Sequence, residues 1–225
     1  MAFDLSPLWI SLKTTLVSTT IVFFLGIAAA QWVMTLTPRA KGVLDALFTL
    51  PMILPPTVLG FFLLLILGKN SLLGQLLKGL DVKVIFSWSA TVISGSVVAF
   101  PLMYRTARGA FEQIDKTTID VARTLGLSKR TIFTKILLPL SLPGLMAGTV
   151  LSFSRTLGEF GATLMIAGNI PQRTQTLPIA IFFAVEGGDM KTALVWVALI
   201  MLLSFLSMAL QSLWSNRAKR MAQGR

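Results

Sequence analysis

The sequence predicts an all-α protein that crosses a membrane several times. Of its 225 residues, 54% are apolar and 13% are charged, which is about half the charged share of a soluble globular domain. A water-soluble protein of this composition would lack the polar residues to cover its surface. Disorder requires low hydrophobicity and is excluded by a mean hydropathy of +0.78. The chain has no Cys and no His, which excludes disulfides, thiol chemistry, His-dependent triads and the common zinc sites.

Five stretches without Asp, Glu, Lys or Arg are long enough to span a bilayer, and they predict about five transmembrane helices. A spanning helix needs ~20 mostly apolar residues. The stretches cover residues 14–38, 46–68, 84–104, 136–154 and 192–216. Two shorter apolar stretches, residues 160–172 and 174–185, either continue the fourth span or form a re-entrant segment. We see no linker that would divide the chain, so we expect one membrane domain over residues 9–215 and a basic tail over residues 216–225.

The basic residues predict how the chain is oriented. Five spans place the two termini on opposite sides of the membrane. If residues 104–136 are cytoplasmic, thirteen Lys and Arg residues lie inside and six lie outside, as the positive-inside rule requires. The N-terminus is then outside and the C-terminus inside. We interpret the net charge of +11 as this orientation signal and expect no nucleic-acid partner.

A cleaved signal peptide is the alternative interpretation of the first span. The three alanines Ala28, Ala29 and Ala30 resemble a cleavage site. The apolar run is longer than the core of a signal peptide, however. The residues before it contain Asp4 and only one basic residue, Lys13, whereas a signal peptide begins with a positively charged region. We therefore expect the first span to be retained.

The longest polar stretch, residues 104–136, carries an ordered helical pattern. Thr117 and Asp120 have the spacing of a capping box, which predicts a short helix over residues 118–125. Gly126 can adopt the left-handed conformation that ends such a helix. Its distance of four residues from Ala122 leaves one helical face with small side chains, which allows another surface to approach closely.

A second helix is expected to follow this one. Ser128 can cap its start, and Pro139 would then restrict a turn into the membrane. From the residues alone, two amphipathic helices lying on the lipid surface are the alternative interpretation of this loop.

Three prolines interrupt the second predicted span. They are Pro51, Pro55 and Pro56, and each removes a backbone hydrogen bond and bends a helix. Because backbone exposed to lipid cannot keep free carbonyl groups, this stretch should face protein or a water-filled path. The two interpretations are a kinked helix packed against its neighbours and a bend that lines a pore.

Arg155 and Glu159 are predicted to lie at membrane depth. If Pro143 opens the fourth helix and that helix continues to about Ala167, the two residues lie ~18 Å and ~24 Å along it, within a hydrocarbon layer of ~30 Å. A spacing of four residues puts them on one face, where they can pair. The pair is either a self-neutralising structural contact or part of a translocation path. Gly161 leaves the adjacent backbone uncrowded.

The polar loop carries the most specific motif. Asp120-Val121-Ala122-x3-Gly126-x9-Ile136-x-Leu138-Pro139 resembles the cytoplasmic E-A-A-x3-G-x9-I-x-L-P loop of ABC importer permeases. Every spacing matches, while Asp120 replaces the Glu and Val121 replaces the first Ala. The resemblance implies a coupling helix that docks into a groove of the ATP-binding subunit. It assigns the coupling role to Asp120, Ala122, Gly126, Ile136, Leu138 and Pro139.

Three further segments look like those of molybdate permease subunits. They are residues 50–60 (LPMILPPTVLG), 155–163 (RTLGEFGAT) and 168–178 (GNIPQRTQTLP). Sulfate permeases share the Gly-Glu-aromatic-Gly element, but the Thr-Gln-Thr-Leu-Pro segment is closer to the molybdate type. The resemblance implies the architecture of a type I ABC importer permease. It places Pro51, Pro55, Pro56, Arg155, Glu159 and Gly161 along the translocation path.

The same resemblance predicts the partners and the location. No G-x-x-x-x-G-K-[ST] motif occurs, so we expect ATP and Mg to bind a separate chain and this one to hold no cofactor and no catalytic residue. The implied partners are two copies of an ABC ATP-binding subunit, a second copy of this chain and a periplasmic or extracellular oxyanion-binding protein. The implied location is the inner membrane.

Other functions are considered beside molybdate import. A sulfate- or thiosulfate-type permease shares part of the motif set, and tungstate has nearly the size and charge of molybdate. A channel uncoupled from ATP would need no coupling loop. A membrane-embedded enzyme would need a cluster of acids, bases or metal ligands, and only Asp45, Arg155 and Glu159 lie at a plausible depth.

Overall fold

The computed structural model describes residues 4–81 and 83–223, with side chains described as far as Ala209. Within those residues the chain is helical and contains no β-strand. Its elements in chain order are α1 (Ser6–Met34), α2 (Pro38–Ile53), α3 (Pro56–Leu67), α4 (Leu72–Gly79), α5 (Trp88–Glu112), α6 (Lys116–Thr124), α7 (Lys129–Ile132), a π-helical turn (Phe133–Leu137), α8 (Leu138–Leu157), α9 (Gly161–Ala167), α10 (Leu177–Glu186) and α11 (Met190–Gln223).

Helices cover all five predicted windows. Within the described part of the chain, three stretches are long and apolar enough to span a membrane: Ser6–Met34, Lys129–Leu157 and Met190–Ala209. The pair α2 and α3 makes a fourth if it is counted as one span bent by 113°. The third predicted window corresponds to α5, which packs between α1 and α8. Its buried face includes small and hydroxyl-bearing residues, so it is less apolar than a helix surrounded by lipid.

The bend between α2 and α3 arises from consecutive prolines. Leu54 and Pro55 are both extended, and α3 begins at Pro56. A residue before proline is pushed out of the helical region, so two prolines in a row end one helix and open the next. Pro51 lies inside α2. The interruption of this span is therefore a sharp break rather than a mild kink.

The fourth span covers the predicted window of residues 136–154, but its helix does not run from Pro143 to Ala167 as expected. Pro143 lies inside α8 and does not open it, and Pro139 does not turn the chain. Instead, α7, the π-helical turn and α8 form one continuous stretch, Lys129–Leu157. Before Pro139, the Leu138 N–H donates to the carbonyl of Phe133, five residues back. This wider turn gives room for a ring that would clash with a normal helical turn.

The fourth helix does not continue to Ala167. It ends at Leu157, and a new helix, α9, starts at Gly161. A loop over residues 168–176 then leads to α10, so the two short apolar stretches are separate helices. Residues 216–225, the predicted basic tail, have side chains outside the described part of the chain. The backbone of α11 runs to Gln223.

Three apolar clusters hold the helices together. The first joins α1, α5 and α8 and includes Met103, Phe111 and Leu145, none of which is exposed. The second joins α3, α5 and α9, and the third joins α10 and α11. Buried hydroxyl pairs lie between the helices, such as Ser94 with Thr163 at 2.7 Å. Such pairs satisfy polar groups that have no water available in a bilayer.

The contact between α3 and α9 depends on a glycine. A Cβ atom on Gly60 would lie 2.7 Å from the Cβ of Met165 and 2.9 Å from the Cα of Ala162. Because one of these atoms is backbone, no side-chain rotation relieves the clash.

We predict that Gly60→Ala lowers thermal stability by separating α3 from α9, with a cost of about 1–3 kcal/mol for overpacking. Gly42→Ala is the matched control, because a Cβ atom there has nothing within 4 Å and alanine favours a helix over glycine by about 1 kcal/mol. Melting temperatures of both variants in detergent check the prediction. An unchanged melting temperature for Gly60→Ala would contradict the described packing.

Candidate functional site

The polar loop forms a short helix, α6, that is capped at both ends. Its start differs from the prediction, because Asp115 is the N-cap and its Oδ1 accepts the Thr117 N–H at 3.0 Å. The capping box of Thr117 and Asp120 is therefore wrong, and the helix begins two residues earlier. Asp ranks above Thr as an N-cap, which explains why Asp115 is used.

The predicted role of Gly126 in ending α6 is confirmed. Gly126 has a φ of +75°, its N–H donates to the carbonyl of Arg123 at 2.9 Å, and the Leu127 N–H donates to the carbonyl of Ala122 at 3.2 Å. This pair of bonds is a Schellman motif, in which glycine is favoured at the left-handed position. Ser128 caps α7 as predicted, through its Oγ and the Thr131 N–H.

Residues 115–128, which we call the coupling segment, present an apolar surface outside the bundle. Val121, Leu125 and Leu127 are all exposed, Leu125 to 74%. Ala122 is buried, while Asp120 is exposed and pairs with Arg123 at 3.0 Å. Exposed apolar groups of this kind, surrounded by charged residues, are typical of a docking surface.

The second half of the motif lies in the long helical stretch that follows the coupling segment. Ile136 is in the π-helical turn, and Leu138 and Pro139 open α8. Ile136 and Leu138 are half-buried, and Pro139 is exposed. The structure thus places Asp120 and Ala122 on one short helix that Gly126 ends, and it places the other three residues of the motif in the first part of a membrane span.

The two broken spans are in contact with each other. A Cβ atom on Gly161 would lie 3.0 Å from the Cβ of Pro56 and 3.4 Å from the amide nitrogen of Thr57. The bend at Pro55 and Pro56 therefore touches the break between α8 and α9. Pro51 lies one turn before the bend, in α2. Pro56 and Gly161, which are predicted path residues from two distant parts of the chain, are therefore in contact.

Arg155 and Glu159 form the predicted ion pair, with Arg155 Nη1 at 2.8 Å from Glu159 Oε2. The Glu159 side chain is 3% exposed and that of Arg155 is 36% exposed. The second carboxylate oxygen of Glu159 accepts the Ala162 N–H at 2.9 Å. Glu159 thus accepts hydrogen bonds from a backbone N–H at the start of α9 and from the guanidinium of Arg155. A buried carboxylate with both kinds of partner is well compensated.

The carboxylate of Glu159 also borders a small internal cavity of about 10 Å³. Hydroxyl groups of α1, α5 and α8 line much of it, among them Thr15, Thr91 and Thr156. The inner side of the ion pair therefore faces a polar protein interior, while the half-exposed Arg155 faces outward.

An ionic cluster that the sequence interpretation missed joins α2 to α5. Glu112 Oε1 accepts from Lys41 Nζ and from Arg108 Nε, both at 2.9 Å. Arg108 also pairs with Asp45, which accepts a hydrogen bond from the Tyr104 hydroxyl. The spacing of four residues within each helix, with complementary charges, is the sequence signal that could have revealed it. The sequence interpretation had counted Lys41 and Arg108 only as orientation signals.

Metal ligation has little support in this arrangement. Among the residues that the structure describes, no group of three or more His, Cys, Asp or Glu side chains could hold a metal ion.

Comparison with curated proteins shows extensive similarity to transport permeases. A "Putative molybdenum transport system permease protein YvgM" of Bacillus subtilis is 44% identical over 202 residues, which cover 89% of each chain. The "Molybdenum transport system permease protein ModB" of Escherichia coli is 36% identical over 217 residues, which cover 94% of this chain and 95% of that protein.

A solved structure and a family model agree with this similarity. A chain of the MetNI methionine ABC transporter in an inward-facing conformation has the same fold, with a TM-score of 0.74, 17% identity and 94% of each chain covered. The family model of the binding-protein-dependent transport system inner membrane component matches residues 22–220. That span and the identity to the curated relatives show that this chain belongs to the family of binding-protein-dependent transport system inner membrane components.

Proposed function

We propose that this chain is the membrane permease of an ATP-driven importer of molybdate, with tungstate as a second substrate. The substrate class is supported by relatives that are named as molybdenum transport permeases at 44% and 36% identity over nearly the whole chain. The observation that carries the coupling to ATP is the coupling segment, a doubly capped helix with exposed Val121, Leu125 and Leu127.

ATP hydrolysis in this proposal is performed by a separate chain. Two copies of an ATP-binding subunit each receive one coupling segment, so two copies of this permease build one pore. An oxyanion-binding protein on the outer side delivers the substrate. The exposed apolar groups of the coupling segment supply the buried contacts of such an interface, and Asp120 and Arg123 supply a polar rim.

Arg155 and Glu159 form part of the path wall in this proposal. The half-exposed guanidinium attracts a divalent oxyanion, whereas Glu159 repels it and is shielded behind Arg155. Partial neutralisation matters because a passing ion must be attracted but not trapped. Pro51, Pro55, Pro56 and Gly161 form the adjacent bend, where broken helices are tolerated because they face protein or water rather than lipid.

The orientation follows from the location of the coupling segment. We propose that residues 104–136 are cytoplasmic, which puts the N-terminus outside and the C-terminus inside the inner membrane. The excess of basic residues on the same side supports this assignment.

Reporter fusions test the orientation. A reporter placed after Lys78 is expected to read outside, and one placed after Lys116 is expected to read inside. An inside signal at Lys78 together with an outside signal at Lys116 would overturn the orientation and the docking of the coupling segment with it.

The function is tested by molybdate uptake into vesicles that contain this chain, its ATP-binding subunit and the oxyanion-binding protein. The unmodified complex is expected to accumulate molybdate only with ATP, and excess sulfate should compete poorly. Gly126→Leu is expected to abolish both uptake and association with the ATP-binding subunit, because a side chain at φ +75° costs about 1–2 kcal/mol and distorts the docking surface.

Gly188→Leu is the matched control for Gly126→Leu. Gly188 has a φ of +76° and open space around its Cβ position, but it lies between α10 and α11, away from the coupling segment. It should carry the same backbone strain without losing the ATP-binding subunit. Normal association and uptake in Gly126→Leu would contradict the assignment of the coupling segment.

The path role of the ion pair is tested by three variants. Glu159→Gln should still assemble, because an amide oxygen can accept the Ala162 N–H, but anion release or coupling should change. Arg155→Gln should be worse, since an unpaired charge at membrane depth costs ~2.5–3.5 kcal/mol. The double variant should regain expression without regaining transport. Expression and uptake are measured for all three, with Lys191→Gln as an exposed control.

Full transport by the double variant would rule out a direct path role. The pair would then be a structural contact that serves only to cap α9.

A further inference from the structure

The contact between α2 and α5 has a regular form that suggests a mechanical role. We define the α2–α5 ladder as the residues that face each other across these two antiparallel helices. They are Lys41, Asp45 and Phe48 on α2 and Phe100, Tyr104, Arg108 and Glu112 on α5.

The ladder has an ionic layer and an aromatic layer. In the ionic layer, Arg108 bonds two carboxylates at once, one on each helix, and Lys41 adds a further bond from α2 to Glu112. Charge-assisted bonds that share partners fix the orientation of the groups more strictly than a single pair does. This layer therefore sets the register of α2 along α5.

The aromatic layer lies deeper along the same two helices. The ring of Phe48 lies edge-on to Phe100 at 5.4 Å and to Tyr104 at 5.2 Å between centroids. Phe100 and Tyr104 are stacked at 6.0 Å. Tyr104 belongs to both layers, since its hydroxyl donates to Asp45. One helix cannot slide past the other without breaking both layers together.

The ladder is the main attachment of α2 to the rest of the described chain. No residue of α2 is buried, and its packing partner is α5, with only slight contact to α1. Helices that are fixed by many faces move with the whole bundle, whereas α2 is fixed by one face. Its position is therefore determined by α5.

The two helices connect the coupling segment to the translocation path. The last residue of α5 is Glu112, a ladder residue, and the coupling segment begins three residues later at Asp115. The other end of α2 is Ile53, next to the bend at Pro55 and Pro56 that touches Gly161. A displacement of the coupling segment thus has a short physical route to the bend.

We propose that the α2–α5 ladder joins the two helices into one rigid unit, so that movement of the coupling segment by the ATP-binding subunit is carried to the bend at Pro55 and Pro56. The ladder residues are positioning residues that act through α2 and do not contact the substrate. This inference rests on the proposed function, because it requires a permease that is driven by an ATP-binding subunit.

The first test measures how many molybdate ions are imported for each ATP hydrolysed. Arg108→Gln removes the residue shared by both carboxylates. At equal amounts of assembled complex, it is expected to hydrolyse ATP at a near-normal rate but to import about fivefold less molybdate per ATP, the size of a modest coupling change. Glu186→Gln, an exposed carboxylate-to-amide change outside the ladder, should leave this ratio unchanged.

A variant with four charge reversals keeps every ionic contact of the ladder but exchanges the positive and negative partners. It combines Lys41→Glu, Asp45→Arg, Arg108→Glu and Glu112→Lys, and it should recover most of the lost import per ATP. The proposal would be overturned if Arg108→Gln left the molybdate imported per ATP unchanged. It would also be overturned if the variant with four charge reversals imported no more molybdate per ATP than Arg108→Gln does.

The second test asks whether α2 moves relative to α5 during transport. The chain has no native Cys, so Lys41→Cys and Glu112→Cys supply the only two thiols for a short bifunctional methanethiosulfonate reagent. A rigid unit should transport after cross-linking at a rate within about twofold of the uncross-linked variant. A cross-link that stops import would show that α2 must slide on α5 and would overturn the proposal.

The cross-linking test decides the question even if Arg108→Gln fails to assemble, because it leaves the other ladder contacts in place. ATP-dependent uptake by the unmodified complex, measured in parallel, tests the proposed function separately. If molybdate uptake stops only after cross-linking, the proposed role of the ladder is wrong, while the proposed function in molybdate import is unaffected.

Discussion

The contact between two broken helices is the constraint around which the region that we propose as the translocation path is arranged. Inside a bilayer, a helix break leaves backbone groups that neither water nor lipid can satisfy. The break before α9 is satisfied by the carboxylate of Glu159, which accepts the Ala162 N–H. The break before α3 leaves fewer N–H donors to satisfy, because Pro55 and Pro56 carry none. Gly161 then lets the two breaks touch.

The ion pair of Arg155 and Glu159 follows from the use of a buried carboxylate to cap α9. A carboxylate that is 3% exposed needs a cation, and Arg155 lies four residues earlier, in the last turn of α8. The half-exposed guanidinium is therefore needed to neutralise the cap and is also the group that a passing anion would meet. The structural and functional interpretations of the pair do not exclude each other, since the cap explains why the charge is present and its exposure explains what it can do.

The sequence predicted the elements that depend on local spacing. Gly126 ends α6 and Ser128 caps α7, because a left-handed glycine and a serine cap depend only on their neighbours. The failures depend on context. Pro139 and Pro143 were expected to mark helix boundaries, but a π-helical turn accommodates the first within a continuous helix. The spacing of Arg155 and Glu159 predicted their pairing, but not that α8 ends between the two residues, at Leu157. The charges of the α2–α5 ladder are spaced four residues apart within each helix, but that spacing does not reveal which of them pair across the two helices.

The double capping of α6 has a consequence for binding kinetics. A helix of nine residues is far too short to be stable alone, yet here its end groups are satisfied within the coupling segment, by Asp115 and by the Schellman bonds at Gly126. In the docking that we propose, the segment therefore enters the encounter with the ATP-binding subunit already ordered, and little conformational entropy is lost on association. An interface of this kind can tolerate repeated separation and reformation within a working cycle, because each docking event does not have to refold the helix.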